Sequence, residues 1–220
     1  SSCRSGAANP VDEREANMQS GHDRFDAEYY DRFYERRATR VQGKLDVARH
    51  CRGVLEVARW LGVEIESVAE VGAGTGLWRD WFAKRCPGVR YVSTEASSYA
   101  CERYGHQRLD ITKKPLRGRY DLVVCQGVLP YVPAQDLPKA IDHLGAMSKG
   151  LLFLECQTSR DLACAVDLQL SDPELAARPA SVYLEPLEKH FLMLGLGLWA
   201  SRRSDLVLYQ LESGTLARSD

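Results

Sequence analysis

The sequence lacks the features that mark several classes of protein. It has no long uninterrupted apolar run, so no transmembrane helix is predicted. Its 29 basic residues are balanced by 30 acidic ones, and without a basic excess neither a nucleic acid nor a membrane surface is an expected partner. The seven cysteines are odd in number and scattered, with no CxxC spacing, which indicates a reducing compartment and no zinc site.

The start of the chain lacks the apolar core of a signal peptide, because residues 1–17 are polar and charged. We therefore expect a cytoplasmic protein. A length of 220 residues is typical of one domain. We expect residues 1–23 to be a flexible segment and residues 24–220 to form a single domain.

Helical spacing characterises residues 24–61. Phe25, Tyr29 and Phe33 recur four residues apart, so we expect them to pack together on one helical face. Apolar residues repeat at helical spacing again over residues 42–61. Two N-terminal helices are therefore predicted ahead of the rest of the domain.

From residue 65 onward, short apolar strands alternate with helices. The run YDLVVC is the kind of strand that a parallel sheet buries on both faces. Such alternation predicts a doubly wound, mostly parallel α/β sheet. The predicted strands cover residues 65–71, 89–94, 106–109, 120–125 and 151–155, and the predicted helices cover residues 77–85, 97–104 and 134–147.

A glycine-rich turn follows the first predicted strand, in the sequence AEVGAGTGLW. Gly72, Gly74 and Gly76 let the backbone turn tightly and approach a ligand that a Cβ atom would repel. A dinucleotide-binding turn has its third glycine where this chain has Leu77. No GK[ST] sequence follows, so a phosphate-binding P-loop is not predicted either.

Acidic residues end the next two predicted strands. Glu95 closes the second strand, where a carboxylate can accept hydrogen bonds from both hydroxyls of a ribose. Asp110 follows the third strand, where it is suited either to an adenine edge or to capping a turn. The order of these residues after the glycine turn predicts a nucleotide site at the ends of the strands.

Together these motifs resemble those of the class I S-adenosylmethionine-dependent methyltransferases. The family's (Asp/Glu)-x-Gly-x-Gly-x-Gly motif matches residues 70–76, and its two later acidic residues match Glu95 and Asp110. Its fourth-strand motif matches YDLVVCQGVLPYV. The resemblance implies a Rossmann-like fold with a seven-stranded sheet, closed by an antiparallel pair of strands near residues 198–201 and 206–211.

The resemblance implies S-adenosyl-L-methionine as the cofactor. The glycine turn would surround its methionine part, Glu95 would hold the ribose, and Asp110 with the adjacent backbone would hold the adenine. The residues implied in cofactor binding are Glu70, Gly72, Ala73, Gly74, Gly76, Glu95, Ala96, Asp110, Ile111, Cys125 and Gln126.

The candidates for the acceptor side are mainly tyrosines. Tyr30 and Tyr34 in the first helix and Tyr131 after the fourth strand are predicted to contact the substrate, and Tyr30 and Tyr131 are the predicted catalytic residues. Arg40 is a further substrate candidate, for a carboxylate. Where the family often has two histidines, this chain has Pro130 and Tyr131, so no histidine base is predicted there.

Two segments are expected to cover the site. Residues 24–61 would form a helical cap over the cofactor. Residues 156–182 follow the fifth strand, where open sheets place their ligand crevice, and a short lid insertion is expected there. The segment LEKHF that comes later is predicted to be helical. No metal is predicted, because no carboxylate cluster follows the fourth strand.

The predicted function is methyl transfer from S-adenosylmethionine to N or O of a small-molecule acceptor. Such an in-line displacement depends mainly on alignment, an effect worth up to about 7–11 kcal/mol in favourable systems. The alternative is a cofactor-binding regulatory or interaction protein without catalysis. The sequence does not define the acceptor, the need for a base or the oligomeric state.

Overall fold

The computed structural model describes residues 24–36, 38–165, 167 and 170–209. The predicted flexible segment at residues 1–23 lies outside these described residues. So do residues 210–211, the end of the last predicted strand.

One sheet forms the centre of the fold. Its strands are β1 (Ser67–Val71), β2 (Arg90–Glu95), β3 (Gln107–Arg108), β4 (Tyr120–Gln126), β5 (Ser148–Glu155), β6 (Phe191–Gly195) and β7 (Leu198–Ser201). Their order across the sheet is β3-β2-β1-β4-β5-β7-β6. Strands β1 to β5 run parallel, while β7 is antiparallel to both β5 and β6. The predicted seven-stranded, mostly parallel Rossmann-like sheet is therefore confirmed.

Helices connect the strands and precede the first of them. They are α1 (Ala27–Tyr30), which continues into a π-helical turn (Asp31–Glu35), α2 (Lys44–Trp60), α3 (Leu77–Arg85), α4 (Ser98–Tyr104), α5 (Leu137–Met147), α6 (Ser159–Cys164) and α7 (Ser181–Glu188). The helix predicted from residue 134 begins as a short 3-10 turn and becomes α-helical at Leu137.

Hydrophobic cores lie on both faces of the sheet. On one face, Ile141 of α5 and Leu187 of α7 pack against the strands. On the other, Cys51 of α2 and Phe82 of α3 do so. Burial on two sides explains why residues 122–125 of β4 are a continuous apolar run rather than an alternating sequence. In the part of the chain that the structure describes, no helix has both the length and the apolar character needed to cross a membrane.

The partner of β7 differs from the prediction. Residues 206–209 form no strand. β7 pairs instead with β6, which begins at Phe191, so the predicted helical assignment of that residue in LEKHF is wrong. Gly195, Leu196 and Gly197 all have positive φ, at 100°, 52° and 76°. This left-handed backbone closes a tight hairpin between β6 and β7.

Candidate functional site

Two adjoining cavities open where β1, β2 and β4 end. The larger cavity has a volume of about 630 Å³ and the smaller cavity one of about 330 Å³. The residues that line both are Tyr29, Tyr34, Val71, Gly72, Gly74, Gln126, Gly127 and Tyr131. The glycine turn and two of the predicted tyrosines therefore lie at the junction of the cavities.

The glycine turn leads from β1 into α3. Gly72, Gly74 and Gly76 have φ of 70°, 56° and 78°, a conformation that L side chains rarely adopt. A Cβ atom on Gly72 would lie 2.2 Å from Cγ2 of Val128. A Cβ atom on Gly76 would lie 2.7 Å from Nη2 of Arg79. The conformation therefore favours glycine at all three positions, and close packing against Val128 adds to this at Gly72.

Glu95, at the end of β2, holds the glycine turn in place through hydrogen bonds to the backbone. Its Oε2 accepts a hydrogen bond from the Gly74 N–H at 3.0 Å, and its Oε1 accepts one from the Ala96 N–H at 2.7 Å. The side chain is buried, and it lines the larger cavity. Its Oε1 also accepts a hydrogen bond from the Ser97 N–H at 3.3 Å. A carboxylate offers about four lone-pair positions, so Glu95 retains one acceptor position for a ligand in that cavity.

His106 supports the same turn, a role that the sequence did not predict. Its Nε2 lies 3.0 Å from the carbonyl oxygen of Gly74, and its Nδ1 lies 2.9 Å from Oγ of Ser93. Because a carbonyl can only accept, Nε2 carries the proton and Nδ1 accepts from the serine hydroxyl. Burial lowers the pKa of His106, which favours this neutral form. His106 is therefore a positioning residue for the turn.

Glu70 lies in β1, directly ahead of the glycine turn, and is only 3% exposed. The Tyr91 hydroxyl donates to its Oε2 at 2.8 Å. Burial raises the pKa of Glu70 to about 8. Since Glu70 also lines the smaller cavity, a cationic group bound there would favour the ionised carboxylate.

We expect Glu70→Gln to remove a loss of stability that the wild type undergoes as the pH rises from about 4.5 to about 8. The pKa of Glu70 is about 8 in the folded protein against an ordinary 4.5, so the folded protein holds a proton that the unfolded chain releases. The free energy of unfolding therefore falls as the pH rises through this range, by roughly 5 kcal/mol. Glutamine still accepts from Tyr91 but does not ionise.

Thermal unfolding followed by circular dichroism across this pH range measures the effect. The stability advantage of Glu70→Gln over the wild type should grow with pH and level off above the folded-state pKa. Glu102→Gln, at an exposed position of α4, is the control and should show no such growth. Parallel pH profiles for the wild type and Glu70→Gln would contradict the prediction.

Most of the residues implied in cofactor binding line the cavities. Glu70, Ala73 and the shared residues line the smaller one, and Glu95, Ala96, Asp110 and Ile111 line the larger one. Cys125 and Gly76 line neither, because Cys125 is fully buried in β4 and Gly76 is the N-cap of α3. The backbone contact predicted at Cys125 or Gln126 therefore fits Gln126 better.

Asp110 has the turn-capping role that was one of its two predicted alternatives. Its Oδ1 accepts hydrogen bonds from the Thr112 N–H at 2.9 Å and from Thr112 Oγ1 at 2.7 Å. This is the turn-capping role. Asp110 also lines the larger cavity, and its contact with adenine stays a prediction.

An aromatic strap covers the two cavities from the N-terminal segment. We use this name for Phe25, Tyr29, Tyr30, Phe33 and Tyr34. The π-helical turn that follows α1 places Tyr29 and Tyr34, five positions apart, against the same space, and both line both cavities. Tyr29 therefore packs against Phe25 and Phe33, as expected, and lines the cavities as well. Tyr30 is buried and lines only the larger cavity.

The strap is joined to the segment predicted as a lid. Arg24 Nη2 forms an ion pair with Asp172 Oδ2 at 2.6 Å, and Arg24 also pairs with Glu174. The guanidinium lies 4.9 Å from the ring centre of Tyr131, a cation–π distance. The Tyr131 hydroxyl accepts a hydrogen bond from the hydroxyl of Tyr29 at 3.1 Å.

The N-terminal segment and the predicted lid segment both contribute residues to the lining of the smaller cavity. Arg40 does so from the N-terminal side. The contribution of the predicted lid segment consists of Gln157, Asp167, Leu170, Ser171, Asp172 and Leu175. Arg24, Asp172 and Glu155, which also lines this cavity, were not predicted as site residues. Their contacts join parts of the chain that are far apart in sequence.

The site tyrosines are neutral phenols. Burial raises the pKa of Tyr29, Tyr30, Tyr34 and Tyr131 above the ordinary value of a tyrosine. A general base must first lose its own proton, and burial opposes this. The predicted catalytic residues Tyr30 and Tyr131 are therefore suited to hydrogen bonding and positioning rather than to accepting a proton.

The chain is similar to solved methyltransferase structures. Magnesium protoporphyrin IX methyltransferase (ChlM) from Synechocystis PCC 6803, with bound SAM, is 18% identical, with a TM-score of 0.53 over 90% of this chain and 100% of that chain. The plantazolicin methyltransferase BpumL, in complex with a monoazolic desmethylPZN analog and SAH, is 12% identical, with a TM-score of 0.55 over 81% of this chain and 76% of that chain. At these identities the comparison shows a shared fold.

The sequence itself matches a family described as a methyltransferase domain, over residues 20–203. This range contains the glycine turn, Glu95, Asp110 and the fourth-strand motif, and it covers most of the chain. The resemblance to the class I S-adenosylmethionine-dependent methyltransferases is thereby confirmed, and the protein belongs to this methyltransferase family.

Proposed function

We propose that this methyltransferase binds S-adenosylmethionine across the two cavities and transfers its methyl group to N or O of a small-molecule acceptor. The observation that carries the proposal is the junction of the cavities at the glycine turn. There, buried Glu95 holds the Gly74 N–H and still faces the larger cavity. A single ligand that spans the junction thus meets a carboxylate suited to binding ribose and, on the adjoining wall, a backbone that it can approach closely.

The residues present fit this cofactor. Because the positive-φ glycines have no side chains, their backbone is accessible where the cavities meet. A Cβ atom on Gly74 would lie 3.7 Å from Cε1 of the Tyr34 ring. Glu95 would hold the ribose hydroxyls, and Asp110 with the Ile111 backbone would hold the adenine. Glu70, Ala73 and the backbone at Gln126 would hold the methionine end in the smaller cavity.

When bound, the cofactor supplies a methyl group on a sulfonium sulfur. The chain's own contribution is alignment and the exclusion of water. The aromatic strap and the segment that contains Asp172 cover the junction, and the Arg24–Asp172 ion pair joins them. Because the displacement depends on geometry, these residues hold an acceptor in one orientation within the smaller cavity.

Calorimetric titration with S-adenosylmethionine and S-adenosylhomocysteine tests the proposal. We expect saturable binding of one molecule of either per chain, and no binding would overturn the proposal. Formation of S-adenosylhomocysteine is then followed with a panel of amines, phenols and carboxylates. Turnover with at least one member is expected. Binding without any turnover would instead favour a regulatory or interaction protein that only binds the cofactor.

A further inference from the structure

Methyl transfer to an amine, alcohol or phenol leaves a proton that another group must take up. The acceptor atom carries a hydrogen, and after it has gained the methyl group it must lose a proton to give a neutral product. A group that takes this proton must be able to bind it and must lie within hydrogen-bond reach of the acceptor. Such a group should therefore line the smaller cavity, where the proposed acceptor lies.

Most polar side chains that line the smaller cavity are not bases near neutral pH. Gln42, Thr75 and Gln157 carry amide or hydroxyl groups that hydrogen-bond but do not take up a proton, and Arg40 stays protonated. The tyrosines of the lining are neutral phenols with raised pKa. Within the described residues, no histidine lines this cavity. The bases that remain are four carboxylates, those of Glu70, Glu155, Asp167 and Asp172.

The surroundings of these carboxylates distinguish Glu155 from the other three. Glu70 is 3% exposed and burial raises its pKa to about 8, so it mostly holds a proton at neutral pH. Asp172 forms an ion pair with Arg24 at 2.6 Å, and Asp167 is exposed. Glu155 is half-buried at the end of β5. None of the described basic residues forms an ion pair with it.

A hydrogen-bonded relay fixes the position of the Glu155 carboxylate. The indole N–H of Trp78 donates to Oε1 of Gln126 at 2.8 Å, and Nε2 of Gln126 donates to Oε2 of Glu155 at 2.8 Å. An indole N–H can only donate and an ionised carboxylate can only accept, so the Gln126 amide has one orientation. Trp78 is 2% exposed, and β4 pairs with β5 at Gln126 and Glu155. The relay therefore ties the carboxylate to α3, β4 and β5.

The relay also joins Glu155 to the wall proposed to bind the cofactor. Gln126 lines both cavities, and its backbone is proposed to meet the methionine end of the cofactor. Glu155 lines the smaller cavity. From the described residues, its side chain accepts a hydrogen bond at Oε2 and none at Oε1. Oε1 is therefore available to a molecule in the smaller cavity.

We propose that Glu155 is the catalytic base that takes the proton of the methyl acceptor. As a lone pair of the neutral acceptor forms a bond to the methyl carbon, the carbon–sulfur bond breaks and its electron pair stays on sulfur. The proton of the acceptor atom passes to Oε1 of Glu155, which then releases it to water.

This assignment also narrows the acceptor class. An alcohol, a phenol or a neutral amine carries the proton that Glu155 takes, whereas an ionised carboxylate carries none and would face like charges in the lining. The inference rests on the proposed function, because it assigns a residue and an acceptor class to the same reaction.

Glu155→Gln tests the assignment with the member of the acceptor panel that the wild type methylates fastest. The variant keeps an oxygen for Nε2 of Gln126 but cannot take up a proton. We expect kcat to fall by about 100-fold or more, while KM and the affinity for S-adenosylhomocysteine stay unchanged. The control is Glu185→Gln, at an exposed position of α7 that lines neither cavity, and it should keep the wild-type kcat.

Rescue by formate separates a base from a merely structural residue. Glu155→Ala removes the carboxylate and leaves space for a small one. Added formate should raise the kcat of this variant saturably, by at least about tenfold, and should not accelerate the wild type. Calorimetry with S-adenosylhomocysteine shows whether each variant is folded, and if Glu155→Ala is not, Glu155→Gln decides alone.

A wild-type kcat in folded Glu155→Gln would overturn the inference, as would a folded Glu155→Ala that formate does not accelerate. Turnover of carboxylates alone from the panel would also overturn it. Each of these results leaves the proposed function standing, because the wild type still forms S-adenosylhomocysteine. Failure of the wild type to turn over any member of the panel is the separate result that removes the proposed function, and the inference with it.

Discussion

Replacing Gly74 with valine should abolish binding of S-adenosylhomocysteine. The residue has φ of 56°, and a Cβ atom there would point into the gap between the turn and the Tyr34 ring, 3.7 Å away. The left-handed conformation costs an L-residue roughly 1–2 kcal/mol, and more when the side chain is β-branched. The two methyl groups of valine would extend further into the space where the cavities join. We expect affinity to fall by more than about 100-fold, or roughly 3 kcal/mol.

Calorimetry measures the change, and two further variants interpret it. Gly53→Val is the matched control, because its Cβ atom would meet nothing within 4 Å on α2, and its affinity should equal that of the wild type. Gly74→Ala adds only the Cβ atom, at ordinary contact distance from Tyr34, and should give an intermediate loss. Unchanged affinity in Gly74→Val would show that the cofactor lies elsewhere.

Local sequence signals were enough to predict the parallel part of the sheet. Strands buried on both faces must be short apolar runs, and glycine or proline ends the helices between them. The predicted β4 at residues 120–125 differs from the observed Tyr120–Gln126 by one residue. The candidate ligand-binding residues Glu95 and Asp110 were predicted in the same way, because they occupy the ends of neighbouring predicted strands.

The antiparallel edge was predicted wrongly because its decisive signal is a turn rather than a periodicity. The sequence GLG at residues 195–197 adopts positive φ throughout and reverses the chain. Because the hairpin pairs β6 with β7, Phe191 lies in a strand, although the sequence before Phe191 continues a helical pattern. Residues 206–209 are also rich in apolar side chains but form no strand. Both segments are apolar, but only the one that the hairpin brings beside β7 pairs with it and forms a strand.

Contacts between distant parts of the chain were not predictable from one sequence. Arg24 and Asp172 are 148 residues apart, and no local pattern relates them. His106 holds the glycine turn only because β2 lies between β1 and β3 in the sheet. The sequence thus predicted many of the residues that line the two cavities, while the contacts that join distant segments required the tertiary structure.

Replacing Glu95 with glutamine should weaken S-adenosylhomocysteine binding by about 100-fold, because hydrogen bonds to a charged group contribute roughly 1.5–3 kcal/mol each. One amide oxygen cannot serve both the Gly74 N–H and the Ala96 N–H, which the two carboxylate oxygens now accept at 3.0 and 2.7 Å. The amide also presents donors where the ribose hydroxyls would donate.

An analogue of S-adenosylhomocysteine that lacks the ribose 2′-hydroxyl separates these two effects of Glu95. The wild type should discriminate against the analogue, because Glu95 would lose a ribose hydrogen bond. Glu95→Gln should bind both ligands with nearly equal, weak affinity, since its remaining defect lies in the turn. Glu102→Gln on α4 should behave as the wild type does. If Glu95→Gln still discriminates as strongly as the wild type, Glu95 holds the turn alone and another group holds the ribose.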